Sequence, residues 1–329
     1  MKKIFKKIGI IAGITVGALA CVLALVIGGL NLAKFVIYSD YYGMKTDLCE
    51  NPGLSDGFVC QGICAYEDGG KIFVSGYMTD DSPSRIYRTD TDNNSSYVEL
   101  AKPNGDPFTG HAGGIAVYGN TVYVANGGKV HLISLPDLMN TPKGGTVQIS
   151  DSISVNNEAS FIYADENYIY VGEFHDGGKY VTDHPYETAE GLHYAIVSRY
   201  PACEMVAFDD GSGVMEAKPD KVYSIRNKVQ GICFTPDGKV VLSTSYGITD
   251  SVYYVYNESE AVDSGLTLDG APVYYLDKLE REIKGPAMAE GLDHYDGKVI
   301  TLTESASDKY IFGKFFFADR IVALDINKQ

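Results

Sequence analysis

The feature that most constrains the fold of this chain is a short pattern that occurs five times along it. Each copy has a small residue, a short apolar strand, a tight turn and a second strand rich in β-branched and aromatic residues. The aligned small residues are Gly62, Gly114, Ser160, Gly231 and Gly291, separated by 46 to 71 positions. Turns such as Pro236-Asp237-Gly238 tolerate the positive φ of a tight reversal, so each copy predicts a β-hairpin.

Further strands follow the hairpin in most copies. They are residues 84–88 and 97–100 in the first copy, and residues 252–256 and 273–276 in the fourth. Tandem four-stranded units are typical of propeller blades. The sequence therefore predicts an all-β fold, a five-bladed β-propeller, with six blades if the long third copy contains another. A β-sandwich is the alternative, because short, evenly spaced strands also occur there.

The last copy is too short to contain four strands, because only 38 residues follow Gly291. We expect its fourth strand to come from the N-terminal side, near residues 36–38 or 57–59, which would close the ring and remove an exposed sheet edge. The predicted organisation is a basic stub at 1–7, a transmembrane anchor at 8–33, a linker with the ring-closing strand at 34–57 and the propeller at 58–329.

The N-terminal segment predicts a membrane anchor. Residues 8–33 contain no charged side chain and are long enough to cross a bilayer as a helix. Four lysines precede this run and only Lys34 follows it closely, which places the N-terminus in the cytoplasm. We expect a single-pass protein of the cell membrane with an extracytoplasmic C-terminal domain. A cleaved signal peptide, or lipidation at Cys21, is the competing interpretation.

Charge and cysteine content narrow the function further. The chain carries a net charge of −16, and the basic anchor leaves the outer domain more acidic still. Such a surface repels nucleic acid and suits either solubility or cationic ligands. Cys49 and Cys60 could form a disulfide outside the cell, whereas Cys64 and Cys233 occupy equivalent positions and predict small buried side chains. No C-x-x-C motif supports a zinc or redox site.

The repeat also converts sequence into geometry, because the first strand of every propeller blade lines the central channel. Together with His111, the residues before the aligned small residues should meet at one mouth of this channel: Gln61, Gly113, Ala159, Gln230 and Glu290. Antiparallel pairing should bring the ends of the second strands back beside them: Gly76, Asn126, Glu173, Thr244 and Glu304.

Side-chain chemistry assigns roles within these two rings. The candidate ligand-binding residues are Gln61, Asn126, Glu173 and Gln230. Glu290 and Glu304 are candidate metal ligands, because calcium selects hard oxygen donors. His111 and Glu304 are the candidate catalytic residues, with His111 as general base. Alternatively, these polar groups only solvate a water-filled channel or bond to crowded backbone. An insertion at residues 175–200 is expected to form a rim loop.

One segment carries a resemblance to known families. Residues 290–299, followed by Thr303-Glu304-Ser305, resemble the blade starts of propellers in the gluconolactonase and esterase-like phytase groups. Residues 111–115 and 123–125 look like those of uncharacterised secreted bacterial propellers. In the lactonase-like group a channel-mouth glutamate binds a divalent cation, so the resemblance implies that role for Glu290 only. The Asn and Asp ligands that accompany it there have no secure counterpart in this chain, and Asn126 is the one candidate.

Two functions are compatible with the sequence. The first is a membrane-anchored extracytoplasmic propeller that binds a small molecule, glycan, peptide or cell-wall component at the channel mouth. The second is a calcium-dependent hydrolase of a lactone, ester or phosphoester. The chain contains no nucleophile elbow, P-loop or zinc motif that would indicate another chemistry.

Overall fold

The chain begins with one long helix in a computed structural model that describes residues 2–205, 215–316 and 318–328. This helix, α1 (Lys2–Ile37), contains a segment, Gly13–Ile37, that is long and apolar enough to cross a membrane, with a mean hydropathy of 2.4. A secretory signal sequence has the same properties, so the topology stays a prediction. Met1 of the predicted basic stub lies outside the described residues.

Five β-sheets form five blades around one axis, which confirms the five-bladed propeller. After α2 (Ser39–Met44) and β1 (Lys45–Glu50), blade 1 contains β2 (Phe58–Tyr66), β3 (Lys71–Met78), β4 (Arg85–Thr89) and β5 (Ser96–Ala101). Blade 2 contains β6 (Gly114–Tyr118), β7 (Thr121–Asn126), β8 (Lys129–Ser134) and, after α3 (Leu135–Asn140) and β9 (Thr146–Gln148), β10 (Asp151–Ser154).

The third and fourth blades contain longer insertions. Blade 3 contains β11 (Phe161–Ala164), β12 (Tyr168–Gly172), β15 (Ala195–Pro201) and β17 (Lys221–Ile225), with inserted strands β13 (Tyr186–Thr188), β14 (Gly191–His193) and β16 (Met215–Glu216). Blade 4 contains β18 (Val229–Phe234), β19 (Lys239–Thr244), β20 (Ser251–Asn257) and β23 (Leu279–Gly285), with inserted strands β21 (Val262–Leu268) and β22 (Ala271–Tyr275).

Blade 5 combines both ends of the chain. Its strands are β24 (Ala289–Tyr295), β25 (Lys298–Thr303) and β26 (Arg320–Leu324), and β1 pairs with β26 in antiparallel register as the outermost strand. The closing strand is therefore Lys45–Glu50 and neither of the two expected segments, because α1 continues to Ile37 and Phe58 already starts β2. Short 3₁₀ helices occur at Glu67–Gly69, Ala202–Glu204, Glu258–Glu260 and Gly313–Phe316.

Residues 38–57 pack against the propeller, and the ring-closing strand β1 lies within the segment 34–57. Tyr38, Tyr41 and Met44 are buried in the same hydrophobic cluster as residues of blades 4 and 5. The Tyr41 ring stacks on that of Tyr253, with centroids 6.1 Å apart. Burial of large aromatic side chains fixes this segment against the blades.

Each of the first three blades receives an additional edge strand from the blade that follows it. β9 pairs with β5, β16 with β10 and β22 with β17, in each case in parallel register. These strands come from the connection between the third and fourth strands of the donor blade, and they cover edges that could otherwise pair with another chain. Residues 273–276 were expected as the fourth strand of blade 4, and this expectation is wrong, because β23 takes that place.

Close packing at the axis explains the small residues of the repeat. A Cβ atom added at Gly62 would lie 2.7 Å from the Cα of Gly114, and one added at Gly231 would lie 2.9 Å from the Cα of Gly291. At Gly291 an added Cβ would lie 3.1 Å from the Cα of Gly62, so the contact runs across the ring closure. In a five-bladed ring the inner strands approach each other too closely for most side chains.

The cysteines outside α1 form no disulfide. Cys49 and Cys60 are separate buried thiols, and the Cys60 Sγ instead lies 3.4 Å from the Thr303 carbonyl oxygen. The suggested disulfide between them is therefore absent. Cys64 and Cys233 are buried, as their equivalent positions predicted.

Candidate functional site

A cavity of about 770 Å³ lies at the mouth of the channel where the inner strands begin. Six of the seven residues selected from the sequence line it: Gln61, His111, Asn126, Gln230, Glu290 and Glu304. Five aromatic side chains form much of the remaining wall: Tyr77, Phe174, Tyr180, Tyr246 and Tyr310. The two predicted rings thus meet in one concave site, to which all five blades contribute.

Three β-bulges place the central polar residues. Cys60 pairs with Gly76 and Gly62 with Ser75, so Gln61 has no partner on β3. Gln230 is the extra residue of an equivalent bulge in blade 4, and Glu290 lies in the bulge of blade 5. A bulge bends its strand and redirects the side chain of the unpaired residue. The adjacent blades 4, 5 and 1 therefore direct two amide groups and one carboxyl group towards the same part of the cavity.

The backbone enters four of the inner strands through a left-handed residue that is not glycine. These residues are Ala112, Ala159, Lys228 and Met288, with φ between 45° and 65°. This conformation is unfavourable for residues with a Cβ atom and commonly persists at binding sites, where surrounding structure enforces it. Ala159 and Met288 themselves line the cavity.

Hydrogen bonds join the three bulged residues and Glu304 into two amide–carboxyl pairs. The Gln61 Nε2 donates to the Glu304 Oε2 at 2.9 Å and to the Cys60 carbonyl oxygen at 2.9 Å. The Gln230 Nε2 donates to the Glu290 Oε1 at 3.3 Å and lies 3.4 Å from the Ser245 Oγ. Each amide retains its carbonyl oxygen as an acceptor for a bound molecule.

Burial makes the carboxyl groups of Glu290 and Glu304 weaker acids than exposed glutamates. Desolvation, followed by the charge of Glu304, raises the pKa of Glu290 well above its usual value. Desolvation also raises the pKa of Glu304 to about 7, against the opposing effects of Tyr310, Lys309 and Gln61. The ionised form is disfavoured because little water reaches either group. Near neutral pH the pair therefore holds protons that can be donated in hydrogen bonds.

His111 stands at the edge of the same site. Its ring lies 4.4 Å from that of Tyr77, whose hydroxyl accepts a hydrogen bond from the Lys309 Nζ. Desolvation, and then the charges of Lys309 and Lys179, lower the pKa of His111. The neutral imidazole can accept a proton or a hydrogen bond, so a role as general base stays a prediction.

The other two proposed ligand-binding residues, Asn126 and Glu173, also have hydrogen-bond partners within the protein. The Asn126 Oδ1 accepts a hydrogen bond from the His111 backbone N–H at 2.7 Å, so Asn126 shapes the wall that it lines. Glu173 does not line the cavity with the other six residues. Its buried carboxylate lies 2.6 Å from the His184 Nδ1 and accepts the Ile196 backbone N–H at 3.1 Å. Phe161 pairs with Gly172, so Glu173 follows at the level of Ser160, the place that Ser75 takes opposite Gly62 in blade 1.

The insertion of blade 3 forms part of the rim. Lys179, Tyr180, Val181 and Thr182 line the cavity. The remaining polar groups have other roles, since the Asp176 Oδ1 accepts two backbone N–H bonds and Glu190 pairs with Arg226 at 2.7 Å. Over the described part of the chain, no group of three or more His, Cys, Asp or Glu side chains could hold a metal ion. The donor set at Glu290 and Glu304 is thus smaller than calcium usually requires.

Several residues of the site were not selected from the sequence. Lys179, Tyr246, Lys309 and Tyr310 all lie in loops between the second and third strands of blades 3, 4 and 5. In an antiparallel blade these loops lie at the same end as the start of the first strand. That rule, applied to the repeat, was the signal that could have found them.

The opposite mouth of the channel has a different chemistry. Asp293 accepts hydrogen bonds from the backbone N–H groups of Ala65, at 2.6 Å, and His294, at 2.8 Å, and burial raises its pKa to about 7. Burial, and then the charge of Asp293, raise the pKa of the Cys64 and Cys233 thiols well above their usual value. These thiols are therefore protonated and poorly reactive.

Comparisons with known proteins establish no family for this chain. No protein family and no curated protein matches the chain. Among solved structures, it is similar to an oxidoreductase assigned as a glucose dehydrogenase from Thermus thermophilus, with 13% identity over 85% of this chain and 99% of that one, at a TM-score of 0.46. It is also similar to the PQQ-bound aldose sugar dehydrogenase from Streptomyces coelicolor, with 16% identity over 78% of this chain and 76% of that one, at a TM-score of 0.42.

BamB from Moraxella catarrhalis is another similar structure, at 11% identity over 80% of this chain and 82% of that one, with a TM-score of 0.31. The match to Kuenenia stuttgartiensis hydrazine synthase covers 55% of that chain, with 14% identity over 74% of this one and a TM-score of 0.37. These similarities do not confirm the resemblance to gluconolactonases. What they share with this chain is the β-propeller architecture.

Proposed function

We propose that this protein is a membrane-anchored propeller that binds a saccharide at the channel mouth. The ligand is the terminal sugar of a glycan or a related small polyol. The observation that carries the proposal is the pair of bonds Gln61–Glu304 and Gln230–Glu290 inside a cavity walled by aromatic rings. Amide and carboxyl groups match the hydroxyl groups of a sugar, which both donate and accept hydrogen bonds.

The aromatic wall supplies the second requirement. Sugar rings present C–H faces that pack on aromatic side chains, and a few oriented polar groups then fix the position of the ligand. Tyr77, Phe174 and Tyr246 contribute such faces around the cavity. A pocket that combines both features favours a neutral, hydroxyl-rich molecule.

Charge argues against a small cation as the ligand, although the whole chain is acidic. Burial raises the pKa of Glu290 and Glu304, so this pair carries less negative charge near neutral pH than two exposed carboxylates would. Lys179 and Lys309 also line the cavity and add positive charge. The site is thus much less acidic than the rest of the surface.

Membrane anchoring and topology are part of the same proposal. The apolar segment Gly13–Ile37 and the lysines that precede it support an anchor with the propeller outside the cell. Retention of this segment would hold the binding site beside the membrane. N-terminal sequencing of the purified protein tests retention, because cleavage of a signal sequence would remove Met1 and the residues that follow.

Saccharide binding can be tested with the full chain in micelles of a detergent without a sugar head group. We expect isothermal titration against a panel of mono- and oligosaccharides to identify a ligand. Gln61→Ala and Gln230→Ala should each weaken it by about tenfold, the cost of roughly one hydrogen bond in a buried site. Gln148→Ala is the matched control, since Gln148 is exposed on β9. Equal affinity in all four proteins would contradict the proposal.

A hydrolase remains the second candidate. A carboxyl group with a pKa of about 7 in the same cavity as a neutral imidazole supplies two groups suited to general acid–base catalysis. Calcium bound by Glu290 and Glu304 stays a prediction. Turnover of lactone, ester or phosphoester substrates that is lost in both Glu304→Gln and His111→Ala would favour this candidate over a binding role.

A further inference from the structure

The loops around the channel mouth expose an unusual number of large apolar side chains. We define the rim loops as residues 173–194 of blade 3, 245–250 of blade 4 and 304–316 of blade 5. Their exposed apolar side chains, with the exposed fraction of each, are Tyr180 (40%), Val181 (66%), Leu192 (46%), Tyr246 (48%), Ile248 (63%), Ile311 (73%) and Phe312 (70%). Apolar surface that is grouped in this way on a soluble domain indicates a contact with another apolar phase.

The anchor helix joins the propeller on this same side. The Tyr38 hydroxyl, directly after α1, donates to the Asp250 Oδ1 of the blade 4 rim loop at 2.8 Å. α1 also contacts the 3₁₀ helix Gly313–Phe316 within the blade 5 rim loop. The Phe35 and Tyr42 rings pack 4.6 Å apart at the junction. The helix therefore leaves the propeller beside the mouth, through a packed joint.

The rest of the mouth is polar. In blade 1 the corresponding loop carries Asp80 and Asp81, both exposed, and in blade 2 it is reduced to Gly127-Gly128. At the opposite mouth, the turn after the first strand of blade 3 carries the exposed Glu166. The apolar side chains thus occupy the sector of blades 3 to 5, which is the sector where the anchor attaches.

We propose that the rim loops of blades 3 to 5 rest in the interface of the bilayer that α1 spans, so that the channel mouth opens at the membrane surface. The transfer of apolar side chains from water to the interface lowers the free energy of the protein. Because α1 already tethers the propeller, this contact is intramolecular and even a weak gain keeps it populated. The polar loops of blades 1 and 2 then leave an opening to water.

This inference rests on the membrane anchoring proposed above and is independent of saccharide binding. It can be tested by fluorescence, because the chain contains no tryptophan. Single variants Ile248→Trp and Ile311→Trp report on the rim loops. Leu25→Trp, in the exposed part of α1, is the control inside the bilayer, and Glu166→Trp is the control at the opposite mouth. The full chain is placed in nanodiscs of ordinary or brominated lipid.

We expect brominated lipid to lower the emission of Ile248→Trp, Ile311→Trp and Leu25→Trp by about twofold, because interfacial side chains lie roughly 5–10 Å into the boundary of the acyl chains. Glu166→Trp should be unaffected. Quenching of Leu25→Trp alone would overturn the orientation while retaining the anchor. Absence of quenching in Leu25→Trp would overturn the anchoring and the orientation together. Circular dichroism verifies that each exposed substitution leaves the strands folded.

Discussion

The Gln61 amide and the Glu304 carboxyl group are joined by a 2.9 Å hydrogen bond across the seam between the first and last blades. The seam is where the ring closes, and β1 completes it on the outer side of blade 5. A single bond thus connects ring closure to the candidate binding site. Any change that loosens the closure should also disturb the position of Glu304.

The raised pKa of Glu304 predicts how stability varies with pH. In the folded protein this group has a pKa of about 7, against an ordinary value of 4.5, so the folded state binds its proton more tightly. The contribution of Glu304 to stability should therefore fall as pH rises from about 5 to 7, and level off above that, by at most about 3 kcal/mol. Burial lowers the pKa of His131 and His193 to about 4, which changes stability in the opposite direction over part of this range. Urea unfolding of the wild type and of Glu304→Gln at pH 5 and pH 7.5 isolates the contribution of Glu304.

Glu304→Gln should remove most of the contribution of Glu304, because an amide does not titrate. Glu290, Asp293, His131 and His193 continue to titrate in that variant, so its stability still varies with pH. Glu166→Gln, an exposed substitution, serves as the control and should preserve the wild-type slope. A pH dependence that is identical in wild type and Glu304→Gln would contradict the assignment.

Close approach of the inner strands predicts a strong effect of one methyl group. Gly62→Ala should lower the free energy of unfolding by about 2–3 kcal/mol, because the new Cβ would lie 2.7 Å from the backbone of the neighbouring blade. Gly43→Ala is the matched control, since an added Cβ there meets no atom within 4 Å. Chemical unfolding of both variants measures the difference, and equal stabilities would show that the axis is less crowded.

The joint between α1 and the propeller predicts a coupling between Tyr38 and Asp250. A double-mutant cycle with Tyr38→Phe and Asp250→Asn should give an interaction energy of about 1–2 kcal/mol, as expected for a hydrogen bond to a carboxylate. Unfolding in micelles measures each protein of the cycle. Strictly additive effects would mean that the bond contributes nothing to the joint.

Calcium binding at Glu290 and Glu304 makes a separate prediction. An ion bound only by the folded state would raise the melting temperature with the logarithm of its concentration once this exceeds the dissociation constant, and a chelator would reverse the rise. The rise should disappear in Glu290→Gln. Melting temperatures that are the same with calcium and with chelator would remove calcium from the account of this site.

Part of the candidate site could be predicted because the propeller places equivalent positions together. Alignment of the repeats was enough to bring Gln61, Gln230 and Glu290 to one mouth. It failed for Glu173, whose carboxylate is turned inwards to His184 and the backbone of Ile196. Which residue at the end of a second strand faces the channel mouth depends on the register within its own blade, and a shared sequence pattern does not specify that register.

The sequence by itself determined the number of blades, the hairpin in each copy and the small residues at the axis. These features are local, since the alternation of apolar residues, the turn glycines and the spacing of the repeats act within one blade. Only the tertiary structure decided that β1 closes the ring, that blades donate edge strands to the preceding blade, and that bulges direct Gln61 and Glu290 into one cavity. Those outcomes depend on contacts between distant segments, and burial at such contacts sets the ionisation of Glu304.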